Sequence, residues 1–395
     1  MAAYRIPGIA GAMLKAGISG TPNPLPASFL RGGTSKGVFI NRAHLPTERA
    51  NWDRVLLGLM GSPDAQYGRQ LNGMGGGISS LSKVCVVGPP PPSAARDVDV
   101  EYTFVQVGIR DEQLDYSGNC GNLSSMIGVF ALDQGLCAPR NVAGGLGTVR
   151  SLNANTNKII DTTFPVSPHA ELGYVPELGL EQVSIAGVPG LASQIILDFV
   201  SPAGARSGVL LPTGNAIDDI VLSGGKSVRA SLVDAANPTV LITNGDLRVA
   251  LGASTDTVDI EDVSVLGVLE EIRQAGAARM GLDPSAQAQP KIAVMSAPRS
   301  GEDEGTHLVV RALSMGVPHK AIPISVALCI GVAARTPGTL VAELVAGADA
   351  GGKLFRIRHP GGVVDVGADV AEDGEAKSAK VMRTGKRLME GAVWW

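Results

Sequence analysis

Cys120 has the strongest claim to chemistry in this 395-residue chain. It lies in Asp115-Tyr116-Ser117-Gly118-Asn119-Cys120-Gly121-Asn122, which runs into the apolar segment 123–132. A glycine-bracketed polar loop feeding a helix leaves free backbone N–H groups at the helix start. Such groups attract anions and lower the pKa of a thiol placed on them. The competing reading is a small buried cysteine, the commonest fate of that residue type. Lys83 comes second. It opens the β-rich run Lys83-Val84-Cys85-Val86-Val87, where alternation puts Leu81, Lys83 and Cys85 on one face. A lysine among apolar neighbours loses pKa and becomes a base, unless it snorkels from a sheet edge. Unperturbed values of about 8.5 and 10.4 leave neither group poised at neutrality, so the helix start must lower the first and burial the second. An anionic substrate opposes both shifts, at about 1.4 kcal/mol per pKa unit. Backbone donors at 118–122 must outweigh it. The chemistry expected is a proton shift beside a carboxylate, with oriented N–H groups and cations stabilising a dienolate-like anion. It calls for no cofactor and no metal.

Further polar, glycine-rich turns could complete such a site: Thr34-Ser35-Lys36, the run from Gly75 and Gly76 to Ser79 and Ser80, Thr213-Gly214-Asn215, and His319-Lys320. Their N–H groups, hydroxyls, amides and lysines suit a compact polycarboxylate. Each taken singly is also an ordinary surface connection. Other chemistries fall away. There is no Gly-x-Ser-x-Gly elbow, and none of His44, His169, His307, His319 and His359 has metal-ligand spacing to another. The glycine-rich turns lack the strand-turn-helix setting of a dinucleotide site.

The elements that must hold these residues can be read from pattern. Residues 27–40 predict strand, turn and strand, and 51–60 a helix stopped by Gly61. Strands are expected at 83–87 and 98–108, then the helix after Cys120. Residues 146–200 read as short strands. In the second part, strands are expected at 239–243, 291–296, 308–313, 361–370 and 379–394, with helical patterns at 261–274 and 277–280 and an apolar helix at 321–335. The string Ile127-Gly128-Val129-Phe130-Ala131 with Gly135 is matched by Ile330-Gly331-Val332-Ala333-Ala334 with Gly338. The shared glycine offset suggests two similar halves, each with a buried central helix. On that alignment Pro323 occupies the place of Cys120, and Cys329 falls in the core.

Hydrophobic residues make up 45% and charged residues 18%, as in globular proteins with well-formed cores. Aromatics at 4% and a net charge of −4 argue against nucleic acid, and no apolar run is long enough to span a membrane. Four scattered cysteines fit a reducing, cytoplasmic location. Arg5 and Lys15, with no acid before Glu48, keep a mitochondrial address as the alternative. A homo-oligomer stays open.

Five strings together resemble the 2-methylaconitate cis–trans isomerase (PrpF-like) family: Phe29 to Gly37, Gly73 to Gly77 with Ser82-Lys83-Val84, Gly118 to Asn122, Leu211 to Asn215, and His319-Lys320-Ala321. Methylitaconate and aconitate Δ-isomerases and 4-oxalomesaconate tautomerases are relatives in that group. The resemblance runs from about residue 25 to the end. It implies an α/β (α+β) diaminopimelate-epimerase-like fold: two pseudo-symmetric halves, each a curved sheet around a central helix, with the site in the cleft. Residues 1–24 would be an extension, 25–200 the first half (rejoined by about 380–395), and 201–379 the second. It implies Lys83 and Cys120 as the acid–base pair. It also implies substrate contacts from Thr34, Ser35, Lys36, Gly76, Ser79, Asn119, Gly121, Asn122, Asn215, Met315, His319 and Lys320. Epimerases of that fold use one cysteine per half. With proline at 323, an allylic proton shift fits better than two-thiol epimerisation. The activity implied is isomerisation of an unsaturated tricarboxylate; the alternative of another class is a non-catalytic polycarboxylate-binding protein.

Overall fold

The computed structural model describes residues 15–16, 21–94, 97–116, 118–253, 258–287, 289–299, 305–314, 316–346 and 354–395. Ser117 and Met315, both singled out above, and most of segment 1–24 lie outside them. The chain forms two compact units. One holds residues 1–184, 190–197 and 383–395; the other holds 185–189 and 198–382.

In the first unit, β1 (Leu25–Gly32) and β2 (Ser35–Asn41) form an antiparallel hairpin. Helix α1 (Trp52–Met60) then crosses to β3 (Lys83–Gly88), which pairs parallel to β2, as a parallel neighbour requires. Gly61 ends α1 in the left-handed region, at φ 73°, the usual glycine stop. Strand β4 (Val100–Val107) is antiparallel to β3. Helices α2 (Gly121–Ser124) and α3 (Ile127–Asp133) lead to β5 (Leu146–Asn153), parallel to β4, and β6 (Lys158–His169) closes antiparallel on β5.

The pattern predicts one continuous helix after Cys120; the structure breaks it at Ser125-Met126. A serine accounts for the break. Ser125 Oγ donates to Asn122 O at 2.7 Å, the acceptor that the Met126 N–H would take in a continuous helix. The Met126 N–H then bonds Leu123 O, a tighter i−3 bond.

The second unit repeats the order. Strands β7 (Ser227–Ala235) and β8 (Asn237–Thr243) are antiparallel. Helices α4 (Asn244–Leu251) and α5 (Val263–Arg279) cross to β9 (Lys291–Ser296), parallel to β8. Strand β10 (Leu308–Ser314) is antiparallel to β9, and α6 (Ile324–Ala333) leads to β11 (Phe355–His359), parallel to β10. Strand β12 (Gly362–Val370) is antiparallel to β11. Both units therefore run antiparallel, parallel, antiparallel, parallel, antiparallel. The last strand, β13 (Ala376–Val393), pairs with β12 through its first part; Gly385 to Val393 pair with β1.

Two details differ from the sequence reading. The pattern gives no helix at 244–251; Thr243 caps one there by accepting from the Asp246 N–H. The two helical stretches expected at 261–280 are one 17-residue helix. Gly276 does not break it, because a Cβ there would stand 2.6 Å from Val240 Cγ2; the glycine is a packing requirement.

Each sheet is covered on both faces. In the first unit Val38, Ile40, Val84, Val86 and Val105 join the apolar cluster under α1, and α3 packs against β3, β5 and β6. In the second, Val240, Ile242, Ile292 and Val294 join the cluster under α4 and α5, and α6 packs against β7, β8 and β12. This is a mixed α/β fold of the epimerase-like kind, with a central apolar helix in each unit. No helix among the described residues is long and apolar enough to cross a membrane.

Candidate active site

Because Val84 and Val86 face α1, alternation turns Lys83, Cys85 and Val87 to the central-helix side of β3. Lys83 is only 9% exposed. Its Nζ donates to Gln106 Oε1 and lies 5.1 Å from the centroid of the Phe104 ring. Its partners are thus a neutral amide and an aromatic face. Burial pushes the neighbouring Cys85 thiol well up; charge on Cys120 adds to that, and the Lys83 ammonium opposes it. The start of β3 and the start of α2 come together across Gly37, where a Cβ would stand 2.9 Å from Lys83 O and 2.7 Å from Leu123 Cδ1.

Cys120 caps α2 with an extended backbone, φ −109° and ψ 96°. It is partly exposed, and its Sγ is 3.8 Å from Ser35 Oγ. The N–H groups of Gly121, Asn122 and Leu123 have no acceptor within a helix that starts at Gly121. Asn122 Nδ2 donates to Thr34 Oγ1 at 3.1 Å and to Ser35 Oγ at 3.4 Å, tying the β1–β2 turn to the cysteine loop. That approach explains the glycine pair. A Cβ on Gly32 would stand 2.3 Å from Asn122 O, and one on Gly33, at φ 50°, 2.2 Å from Asn122 Oδ1.

Asn119 serves the loop itself. Tyr102 Oη, Ser124 Oγ and Asn153 Nδ2 all donate to its Oδ1, at 3.1, 3.2 and 3.1 Å. Lys36 is set apart from this group. It follows Ser35 on β2 and so takes the opposite face, with its Nζ 5.7 Å from the Phe29 ring centroid. Gly76 packs on Leu81, where a Cβ would meet the leucine side chain at 2.7 Å. Ser79 is exposed and its carbonyl accepts from Gln106 Nε2.

In the second unit, Asn215 Nδ2 donates to Asp218 Oδ1 at 3.1 Å. His319 Nδ1 accepts the Ala321 N–H at 3.1 Å, which leaves its proton on Nε2. Lys320 is exposed. Cys329 is fully buried and donates to Val233 O at 3.5 Å; burial pushes its thiol up to about 12. Pro323 caps α6 as Cys120 caps α2.

Sequence reasoning passed over Gln106, Phe104, Tyr102 and Arg383. Arg383 is 8% exposed and sits behind the β1–β2 turn, its Cδ 3.2 Å from where a Gly33 Cβ would be. Burial pulls its guanidinium down to about 10, while negative charge on Cys120 acts the other way. A buried cation is thus within electrostatic reach of the thiol. The signal for it was present: an arginine in a strand whose neighbours Val381 and Met382 are apolar.

The α/β fold with its lysine and cysteine in one unit, taken with the relatives, makes this chain an isomerase. The chain belongs to the PrpF family, whose model, described as PrpF protein, matches residues 23–395. The 2-methyl-aconitate isomerase of Shewanella oneidensis is 38% identical, over 93% of this chain and 96% of its own. The 3-methylitaconate isomerase of Eubacterium barkeri is 35% identical, over 94% and 97%. A 4-oxalomesaconate tautomerase of Pseudomonas putida is 34% identical, over 93% and 95%. The crystal structure of a methylitaconate-delta-isomerase superposes with a TM-score of 0.82 at 33% identity, covering 94% of this chain and 95% of that one.

Proposed function

We propose that this protein isomerises an unsaturated tricarboxylate of the aconitate or 2-methylaconitate kind by an allylic proton shift, without a cofactor. The observation that carries the reading is the close approach of a buried lysine and a partly exposed, helix-capping thiol. Lys83 and the first turn of α2 meet across Gly37, and Cys120 Sγ lies 3.8 Å from the Oγ of Ser35, two residues before that glycine. One of the two takes a proton from the carbon beside the double bond, the electron pair moves through the C=C–C unit, and the other returns a proton at its far end. Rotation or bond shift then gives the isomer. Negative charge grows on the substrate carboxylate and allyl unit in between. The N–H groups at 121–123, which have no acceptor within α2, and the buried Arg383 are suited to stabilise it. Ser35, Thr34 and Asn122 would hold a carboxylate; for Asn215, Met315, His319 and Lys320 that role rests on the resemblance alone.

Relatives named for methylaconitate, methylitaconate and oxalomesaconate are 38%, 35% and 34% identical to this chain, so identity does not choose among the acids. Proton NMR in D₂O with trans-aconitate, 2-methylaconitate, methylitaconate and 4-oxalomesaconate is the test. Deuterium entry at the allylic carbon together with isomer formation is expected for one of them. Neither exchange nor isomerisation with any of the four would overturn the reading.

A further inference from the structure

Lys83 owes its geometry to a side-chain amide on the facing strand. Gln106 stands directly opposite it across β3 and β4. Gln106 Nε2 donates to Ser79 O at 3.1 Å and to Ser82 O at 2.8 Å, carbonyls from the turn that precedes β3. Both hydrogens of the amide are thereby used. A flipped amide would set an oxygen against two carbonyl oxygens, so the orientation is determined by the network. Oε1 is left facing Lys83 Nζ, which donates to it, while the buried Phe104 ring covers the neighbouring side.

The network continues through the turn. Ser82 Oγ donates to Val107 O at 3.0 Å and accepts from Gln70 Nε2 at 2.8 Å; Gln70 Oε1 accepts the Gly77 N–H at 3.0 Å. Gln70 is wholly buried.

We propose that Gln106 is the positioning residue for Lys83: its locked amide aims the lysine Nζ and ties it to the glycine-rich turn at 70–82. The inference rests on the reading that Lys83 carries a proton in the reaction. A lysine has four side-chain torsions and three interchangeable donors, so a fixed acceptor is what gives it a single direction. The chemistry also explains why the residue is glutamine. A glutamate could accept from Nζ but could not donate to Ser79 O and Ser82 O, and its charge would bind the ammonium as an ion pair. The neutral amide aims the lysine and leaves it free to exchange its proton with substrate.

The test uses the full chain labelled with ¹⁵N-lysine, the Lys83 Nζ signal being assigned by its loss in Lys83→Met. Hydrogen exchange at Nζ should be slow in wild type and at least tenfold faster in Gln106→Met, with kcat at least tenfold lower and KM within about threefold for whichever acid wild type converts. In Gln106→Glu, which holds the ammonium as an ion pair but cannot donate to Ser79 O and Ser82 O, kcat should also fall at least tenfold. That variant decides the matter if Gln106→Met does not fold. Wild-type exchange and kcat in Gln106→Met, or wild-type kcat in Gln106→Glu, would overturn the proposal. Full turnover in Lys83→Met would instead remove the lysine's catalytic role and leave the exchange results to be judged by themselves.

Discussion

The two units have the same strand order and the same central-helix device, yet only one carries a thiol where its helix begins. Gly128 in α3 and Gly331 in α6 both let the helix approach its sheet, and Gly135 and Gly338 both follow in the left-handed region. A lysine opens β3 and another opens β9, each just before a valine or isoleucine that faces the outer helices. What differs is the cap: Cys120 in one unit, Pro323 in the other. The fold is thus symmetric in what packs and asymmetric in what reacts. That suits a substrate whose proton leaves one carbon and returns to another, since unlike partners can be matched to unlike positions.

The sharpest way to break the comparison is to remove the reacting groups from one unit and the buried thiol of α6 from the other. Lys83→Met and Cys120→Ser should each lower turnover by roughly a hundredfold or more. Cys329→Ala, at a fully buried position of α6, should leave turnover within about threefold of wild type and cost only stability. Steady-state rates on the converted acid check all three. Normal turnover in either of the first two takes that residue out of the mechanism.

Next come the packing glycines, where the units should part in stability. A Cβ at Gly331 would meet the backbone oxygen of Gly367 at 2.9 Å; one at Gly128 would meet side-chain atoms of Phe164 and Val149 at 2.9 and 3.0 Å. Side chains can turn aside and a sheet backbone cannot. Gly331→Ala should therefore cost about 2–3 kcal/mol and Gly128→Ala about 1 kcal/mol, read from urea unfolding. The reverse order would mean that α3, and not α6, is the more tightly seated helix.

Thiol reactivity gives a gentler contrast. Cys85 and Cys329 are buried, and burial pushes Cys137 up to about 12, so little thiolate forms there near pH 8. Partly exposed Cys120 should then be alkylated first by iodoacetamide, followed by peptide mass spectrometry. Modification of Cys137 ahead of Cys120 would contradict the burial described here.

Much of this asymmetry is visible in residue types alone. Glycine-rich turns, a cysteine between glycines and an apolar helix repeated at one offset are local patterns, and local patterns survive in a sequence. What was hidden depends on register. Nothing near Gln106 says that it faces Lys83, because strand pairing joins residues 23 apart and a one-residue slip would reverse every face. Arg383 showed only as an arginine beside apolar neighbours; its place behind the β1–β2 turn was hidden for the same reason, because its strand comes back beside β1 from the far end of the chain. The break between α2 and α3 depended on the Ser125 hydroxyl bonding backward, which a hydrophobic pattern does not register. Adjacency in a turn likewise does not show that Lys36 and its neighbour Ser35 point to opposite faces of β2.

The smallest expected effect belongs to the position that makes the units unlike. Pro323 caps α6 at φ −58° and ψ 132°, values open to cysteine, and its carbonyl accepts from Val326 and Ala327 N–H groups. Pro323→Cys therefore keeps the start of the helix and loses only the proline's restriction of the unfolded chain, about 0.4–1 kcal/mol. If the reaction uses Lys83 with Cys120 as an unlike pair, a second thiol has no proton to carry. Turnover should stay within about twofold, and proton NMR in D₂O should show no exchange at any carbon that wild type leaves untouched. New exchange at such a carbon would mean that the proline alone withholds a two-thiol chemistry, and that the asymmetry of the caps decides which reaction the fold performs.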